Sequence, residues 1–210
     1  MSSSVSGKPA AKPRTKPADE RRDDLLRAAE RLFLAKGVAA TTIDDVTRAA
    51  GIAKGTFYLH FASKADVLDA LRDGFVRTVS GRIAGAVGHR SADDWTGRLQ
   101  AWSDAFVEAY LDLLALHDLV FVEAPPASRA GLSKNPLIDD LARLLAAGDE
   151  AGAWRAVSPA FTAAFLFGAL HGLVASGWVA AQERSAALAA IRAQILNAVG
   201  ATGEDRRLPR

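Results

Sequence analysis

The 210-residue chain contains no cysteine, which excludes disulfides and thiolate metal sites and fits a reducing cytoplasm. Aromatic residues make up only 7% of it, and runs of β-branched residues are scarce. Ala, Leu and Arg dominate instead, and these are helix formers, so an almost entirely α-helical protein is expected. The opening residues lack the apolar stretch of a secretory signal. No phosphate-binding loop, dinucleotide fingerprint or Gly-x-Ser-x-Gly occurs. The four histidines, His60, His89, His117 and His171, do not have metal-ligand spacing, and His117 and Asp118 are expected to point apart on a helix. These absences argue against an enzyme and imply no cofactor and no metal. No repeat of fixed period is present, which excludes a solenoid.

What is present is hydrophobic and unevenly charged. Half of the residues are hydrophobic, enough for one large core or two small ones. The formal net charge is +2, but residues 1–72 carry 13 Lys and Arg against 9 Asp and Glu, whereas residues 73–210 carry 13 against 15. The basic half comes first, which suits an anionic partner there. Residues 1–18 carry Lys8, Lys12, Arg14 and Lys16 among Pro9, Pro13 and Pro17. They bury too little to fold and are expected to form a disordered basic arm, which either adds phosphate or minor-groove contacts or merely solubilises the chain.

The spacing of apolar residues predicts a first helix over Asp19 to Lys36, with Leu25, Leu26, Ala29, Leu32 and Phe33 on its buried face and Gly37 ending it. Thr42 is placed to cap a short second helix, with Asp45 as the acid of a capping box, and Gly51 stops that helix. A third element, Lys54 to His60, follows at once. Two short helices joined by a glycine-bearing turn form a helix-turn-helix. Phe57 and Phe61, four apart, point inward and leave Lys54, Thr56, Tyr58 and His60 outward. Ser63 is expected to cap a fourth helix, Lys64 to about Val87, that Gly74, Gly81 and Gly85 weaken.

The segment from Thr42 to Leu68, within the run TTIDDVTRAAGIAKGTFYLHFASKADVLDAL, resembles the DNA-binding domain of the TetR family of transcriptional regulators. The likeness rests on Thr42, Ala50-Gly51, Gly55-Thr56-Phe57-Tyr58, His60-Phe61 and Lys64, and covers about 50 residues. It implies that Thr42, Tyr58 and His60 contact phosphates, that Lys64 pins the backbone, and that Lys54, Gly55 and Thr56 lie nearest the base edges. Phosphate contacts set register and base contacts read sequence: Lys54 can donate to guanine, the Thr56 methyl can touch a thymine methyl, and Gly55 admits close approach. Leu59 departs from the aromatic or polar residue many relatives carry, so no contact is assigned to it. Each residue also has a plainer reading. Thr42 is a helix cap in any case, Tyr58 can be half-buried packing, His60 a satisfied core histidine, and Lys64 a solvated lysine.

Beyond this segment, a helix is expected after Ser91 with an apolar stripe from Trp95 to Leu113, then a loop over residues 124–136, a helix from Pro136 to Ala147 that Gly148 breaks, a very apolar helix from Pro159 to about Ala181, and a last helix over Glu183 to Val199. Residues 160–181 contain no Lys, Arg, Asp or Glu, and that length can span a bilayer, with Gly168 and Gly172 as a small-residue pair. His171 at mid-span and the high Ala and Gly content favour a buried interface instead. The resemblance places a homodimer interface on the helices at about 158–181 and 183–199, which suits a palindromic double-stranded operator.

The expected organisation is therefore all-α: the arm, a helix-turn-helix domain at 19–66, a ligand-binding and dimerisation domain at 67–203, and a flexible tail at 204–210. Candidate pocket residues for an apolar or aromatic effector are Trp102, Phe106, Tyr110, Phe121, Trp154, Phe161, Phe165 and His171, with His117, Asp118 and Glu123 as further polar groups. The same aromatic residues at helical spacing also suit a plain core. The expected function is a cytoplasmic, ligand-responsive repressor with no membrane association. The alternatives are a non-specific nucleoid-type DNA-binding protein and, more remotely, a small helical enzyme.

Overall fold

The structure, a computed structural model, describes residues 17–123, 135–155 and 158–201. Most of the expected basic arm, most of the 124–136 loop and the 204–210 tail lie outside these residues, whereas Pro17 and Ala18, assigned to the arm, cap and open α1. Every regular element described is helical: α1 (Ala18–Lys36), α2 (Ile43–Ala50), α3 (Lys54–Phe57), α4 (Lys64–Gly88), α5 (Trp95–Asp112), α6 (Leu114–His117) continued by a π-helical segment (Asp118–Glu123), α7 (Pro136–Glu150), α8 (Pro159–Ala175) and α9 (Arg184–Ala198). The chain divides into two compact units, Met1–Lys64 and Ala65–Arg210, two residues before the boundary read from the sequence.

In the first unit α1 packs on α2 and α2 on α3. Leu25, Ala28, Ala29, Phe33, Val46, Phe57 and Phe61 are buried, and each large one contributes about 1.5–3 kcal/mol by leaving water. Asp19 and Glu20 lie in the first turn of α1, where the helix dipole favours negative charge. Gly37 stops that helix at a φ of 81°.

In the second unit α5 lies against α7, α8 and α9. Its buried face carries Leu99, Trp102, Phe106 and Tyr110. Asp94, expected inside the helix, instead precedes it as the cap, accepting from the Gly97 N–H at 2.9 Å. The three glycines of α4 do not shorten it, because Phe75, Val79 and Ile83 are buried along one side and this packing outweighs the modest cost of glycine. Gly148 does not break α7 either. The Trp154 indole lies so close that a Cβ there would fall 2.0 Å from its ring, and its Nε1–H donates to the Leu145 carbonyl at 2.9 Å. The glycine thus serves as a seat for a ring and leaves the helix intact.

The apolar segment also departs from expectation. It does not form one helix to Ala181. Ala175 ends α8, Gly177 takes a φ of 75°, and turns occupy residues 176–182. Among the described residues no helix is long and apolar enough to cross a membrane. Opposite the buried Ala163, Leu166, Phe167, Leu170 and Val174, α8 exposes a second apolar face. Arg192 on α9 grips Asp104 on α5 with two nitrogens at 2.7–2.9 Å, and Arg184, also on α9, bonds Glu108 of α5 at 2.6 Å, so the last helix is tied to α5 by ion pairs as well as by packing.

Candidate nucleic-acid interface

Thr42 begins the site. Its hydroxyl accepts from the Asp45 N–H at 3.1 Å, and the Asp45 carboxylate accepts from the Thr42 N–H at 3.0 Å. Asp45 also meets the Lys36 ammonium at 2.8 Å and Arg48 at 3.4 Å. The Lys36 bond first, and the Thr42 bonds after it, hold the Asp45 carboxyl far below the usual carboxylate range. Preformed N–H groups at a helix start, with Thr42 exposed beside them, make an anion-facing terminus.

Gly51 turns the chain at φ 66° and ψ 33°, with its own N–H on the Arg48 carbonyl and the Ile52 N–H on the Thr47 carbonyl at 2.9 Å. This is the left-handed stop that glycine adopts at low cost. Ala53 then opens α3. The regular helix ends at Phe57, earlier than the His60 read from the sequence. Residues 58–60 continue as a tight turn through bonds from Leu59 to the Thr56 carbonyl and from His60 to that of Phe57. Phe57 and Phe61 anchor this turn, both buried, with ring centroids 5.8 Å apart.

The anchoring decides what faces out. Lys54 and Gly55 are exposed, Thr56 is half-buried, Tyr58 is 52% exposed and Leu59 is 79% exposed. No atom lies within 4 Å of where a Gly55 Cβ would stand. The Lys54 ammonium meets the Asp44 carboxylate at 2.8 Å, and that carboxylate raises the lysine's pKa. Both groups are open to water, where such a pair exchanges readily for another anion. His60 is half-buried with its Nε2 covered and without a hydrogen-bond partner among the described residues, so it is not a satisfied core histidine.

Lys64, expected to pin the DNA backbone, is held here by the protein's own backbone. Its ammonium donates to the Val38 carbonyl at 2.9 Å and to the Thr41 carbonyl at 2.8 Å. The buried Thr41 hydroxyl donates to the Gly37 carbonyl at 2.8 Å. Together they fasten the turn that delivers Thr42 to the start of α2. Sequence reading missed Thr41 and the carbonyl partners of Lys64, because the bonds of Lys64 span 26 and 23 residues and leave no local signature.

The candidate pocket residues of the second unit fall into three groups. Trp102 stacks on Phe106 at 5.5 Å; Phe106 meets Tyr110 and Phe167, and Tyr110 meets His117 at 4.6 Å and His171 at 5.3 Å. Phe121, on the π-helical segment, closes this cluster against His117 and Phe75. Trp154 packs elsewhere, on Gly148 and Trp95. Phe161 and Phe165, expected on a pocket wall, are 73% and 62% exposed on the outer face of α8, because the inner face is taken by Leu166, Phe167 and Leu170. His117 and Asp118 do not point apart. The ring Nδ1 and the carboxylate lie 3.0 Å from each other, since the wider π-helical turn that begins at Asp118 alters the local register. Glu123 is exposed. Inside the cluster His117 and His171 bring their Nε2 atoms to 3.4 Å. Burial first, then the His117 ring, lowers the pKa of His171. The buried Tyr110 hydroxyl has no hydrogen-bond partner among the described residues, and burial pushes it far above its ordinary range. No group of His, Asp and Glu among the described residues is placed to hold a metal ion.

Comparison with known proteins matches this geometry. Residues 25–71 fit the sequence profile of a family described as bacterial regulatory proteins, tetR family. The HTH-type transcriptional regulator TtgR of Pseudomonas putida is 44% identical over 61 residues, 29% of either chain. The HTH-type transcriptional repressor KstR2 of Mycolicibacterium smegmatis is 30% identical over 119 residues, 57% of this chain and 55% of the relative. The chain thus spans from under a third to about half of these relatives' length. The solved structure of the fatty acid degradation regulator FadR from Bacillus halodurans superimposes with a TM-score of 0.67 at 20% identity, covering 88% of this chain and 97% of that one. The fold is therefore shared over nearly the whole length, and the sequence likeness is concentrated in the helix-turn-helix.

Proposed function

We propose that the chain, whose residues 25–71 match the tetR family of bacterial regulatory proteins, is a member of that family and a sequence-specific transcriptional regulator acting in the cytoplasm as a homodimer, a repressor released by a small molecule. The observation that carries this reading is the exposed set Thr42, Lys54, Gly55 and Tyr58 on a doubly capped α2 and a Gly51 turn. Thr42, Tyr58 and His60 take phosphates; Lys54, Gly55 and Thr56 meet base edges in the major groove. Asp44 releases Lys54 when DNA arrives. Lys64 serves by fixing the turn before Thr42.

The homodimer forms through α8 and α9. The support is the exposed apolar face of α8 and the groove of about 380 Å³ beside it, whose lining includes Phe165, Leu173, Ile191 and Ile195. A helix apolar on both sides is covered in a stable protein, and small residues such as Gly168, Ala169 and Gly172 let two copies approach closely. Two chains then present recognition elements to successive major grooves about 34–36 Å apart. An apolar or aromatic effector binds among Phe106, Tyr110, Phe121 and His171 in a conformation that no longer matches that spacing, and DNA affinity falls by the difference in affinity between the two conformations.

Selection of sites from genomic fragments with the purified protein tests this. An enriched palindrome, absent with the Tyr58→Ala protein, is the expected result. Retention that follows salt alone, with no motif, would point to a passive DNA-coating protein instead.

A further inference from the structure

Between the end of α4, the start of α5 and α7 lies an open cleft of about 560 Å³, within the range of small-molecule sites. Val87, Leu144, Ala147 and Trp102 give it apolar walls, and Arg90, Arg98, Arg143 and a single acid, Asp140, line it as well. The acid is already engaged. One Asp140 oxygen accepts from the Trp102 Nε1–H at 3.1 Å and the other from Arg143 at 3.2 Å. Arg90 and Arg98 pair with no carboxylate among the described residues. Asp93 and Asp94 stand nearby in sequence but do not line the cleft, and Asp94 is turned onto the Gly97 N–H. Arg98 is held in place, its guanidinium 4.6 Å from the Trp95 ring centre and one N–H on the Ala92 carbonyl at 3.1 Å. A fixed guanidinium with unused donors matches the two oxygens of a carboxylate.

We propose that this cleft binds a small aromatic carboxylic acid, its carboxylate between Arg90 and Arg98 and its ring against Val87 and Ala147. The cleft shares Trp102 with the aromatic cluster, since that ring also stacks on Phe106, but the proposal does not depend on the reading of Tyr110, His117 and His171 or of the DNA-binding face. The apolar walls supply affinity and the two arginines supply selection for the anion. A neutral analogue of the same shape leaves both guanidiniums without the charged partner and loses the charge-assisted bonds.

The test is calorimetric titration of the full chain with naphthalene-1-carboxylate and with the neutral naphthalene-1-methanol. The acid should saturate one site per chain and the alcohol should bind about tenfold more weakly. Arg90→Gln, at an exposed position, should weaken the acid several-fold and leave the alcohol unchanged. Ala84→Trp, which fills the cleft while keeping every arginine, should abolish binding of both, with circular dichroism verifying that each variant is folded. The proposal is overturned by an acid that gives no saturable heat at millimolar concentration, by equal affinity for acid and alcohol, or by binding that survives Ala84→Trp.

Discussion

The turn that delivers Thr42 to α2 and the aromatic centre of the helical body treat their polar groups in opposite ways. In the first, Thr41, Thr42, Asp45 and Lys64 bond to backbone at 2.8–3.1 Å. Polar chemistry there is committed to the path of the chain and leaves Tyr58 and Lys54 displayed on a fixed support. In the second, the Tyr110 hydroxyl has no partner among the described residues, and two histidines share one weak contact of 3.4 Å among phenylalanine rings. Partly satisfied polar groups in a dry interior are costly, and an incoming molecule with a donor or acceptor can relieve that cost. Under the proposed function, a reader of DNA benefits from a support that is complete before the partner arrives, and a sensor from a centre that its ligand completes.

The largest effect expected from this contrast is at Lys64. Lys64→Met removes the donor to the Val38 and Thr41 carbonyls and should destabilise the protein by about 1–3 kcal/mol in urea unfolding; a change within error would mean that water replaces the ammonium and the turn needs no fastening. Thr42→Ala comes next, at about 1 kcal/mol, and Thr42→Ser should recover most of it. If serine and alanine behave alike, the cap contributes nothing beyond backbone geometry.

The body should respond to pH. Burial holds the folded-state pKa of His171 below its ordinary 6.5, so the unfolded chain takes up a proton that the folded chain resists. Stability from this group is complete above about pH 6.5 and declines as pH falls from there towards the lowered value. Thermal unfolding at stepped pH should show that decline, and His171→Phe should flatten it; a slope unchanged in the variant would assign it to another group. The smallest effect is expected at Tyr110. Tyr110→Phe deletes a hydroxyl that bonds nothing described and should shift stability by less than about 0.5 kcal/mol. A loss of more than 1 kcal/mol, on that same scale, would reveal a hidden partner and erase the contrast.

Much of the first unit was legible because its signals are local. Thr42 with Asp45, the Gly51 stop and the Phe57–Phe61 pair each act within a few residues, and the sequence places them correctly. The tertiary features were hidden. Gly148 reads as a helix breaker until Trp154 is seen against it, and the carbonyls that engage Lys64 lie more than twenty residues away. The charge-free run to Ala181 reads as one helix, although the chain turns at Gly177. Phe161 and Phe165 read as pocket lining because periodicity marks an apolar residue without saying which of two apolar faces it joins. The π-helical segment, which turns Asp118 towards His117, has no sequence signature that the helical period would reveal.

The measurement that bears most directly on the account is the affinity of the wild-type and Tyr58→Ala proteins for the selected palindrome and for a scrambled duplex of equal length, across a range of salt. The account predicts two chains per palindrome, tighter binding than to the scrambled duplex by a factor of about a thousand or more, and collapse of that ratio in the variant while the weak, salt-dependent binding persists. Equal affinity for both duplexes, or a ratio untouched by Tyr58→Ala, would contradict it.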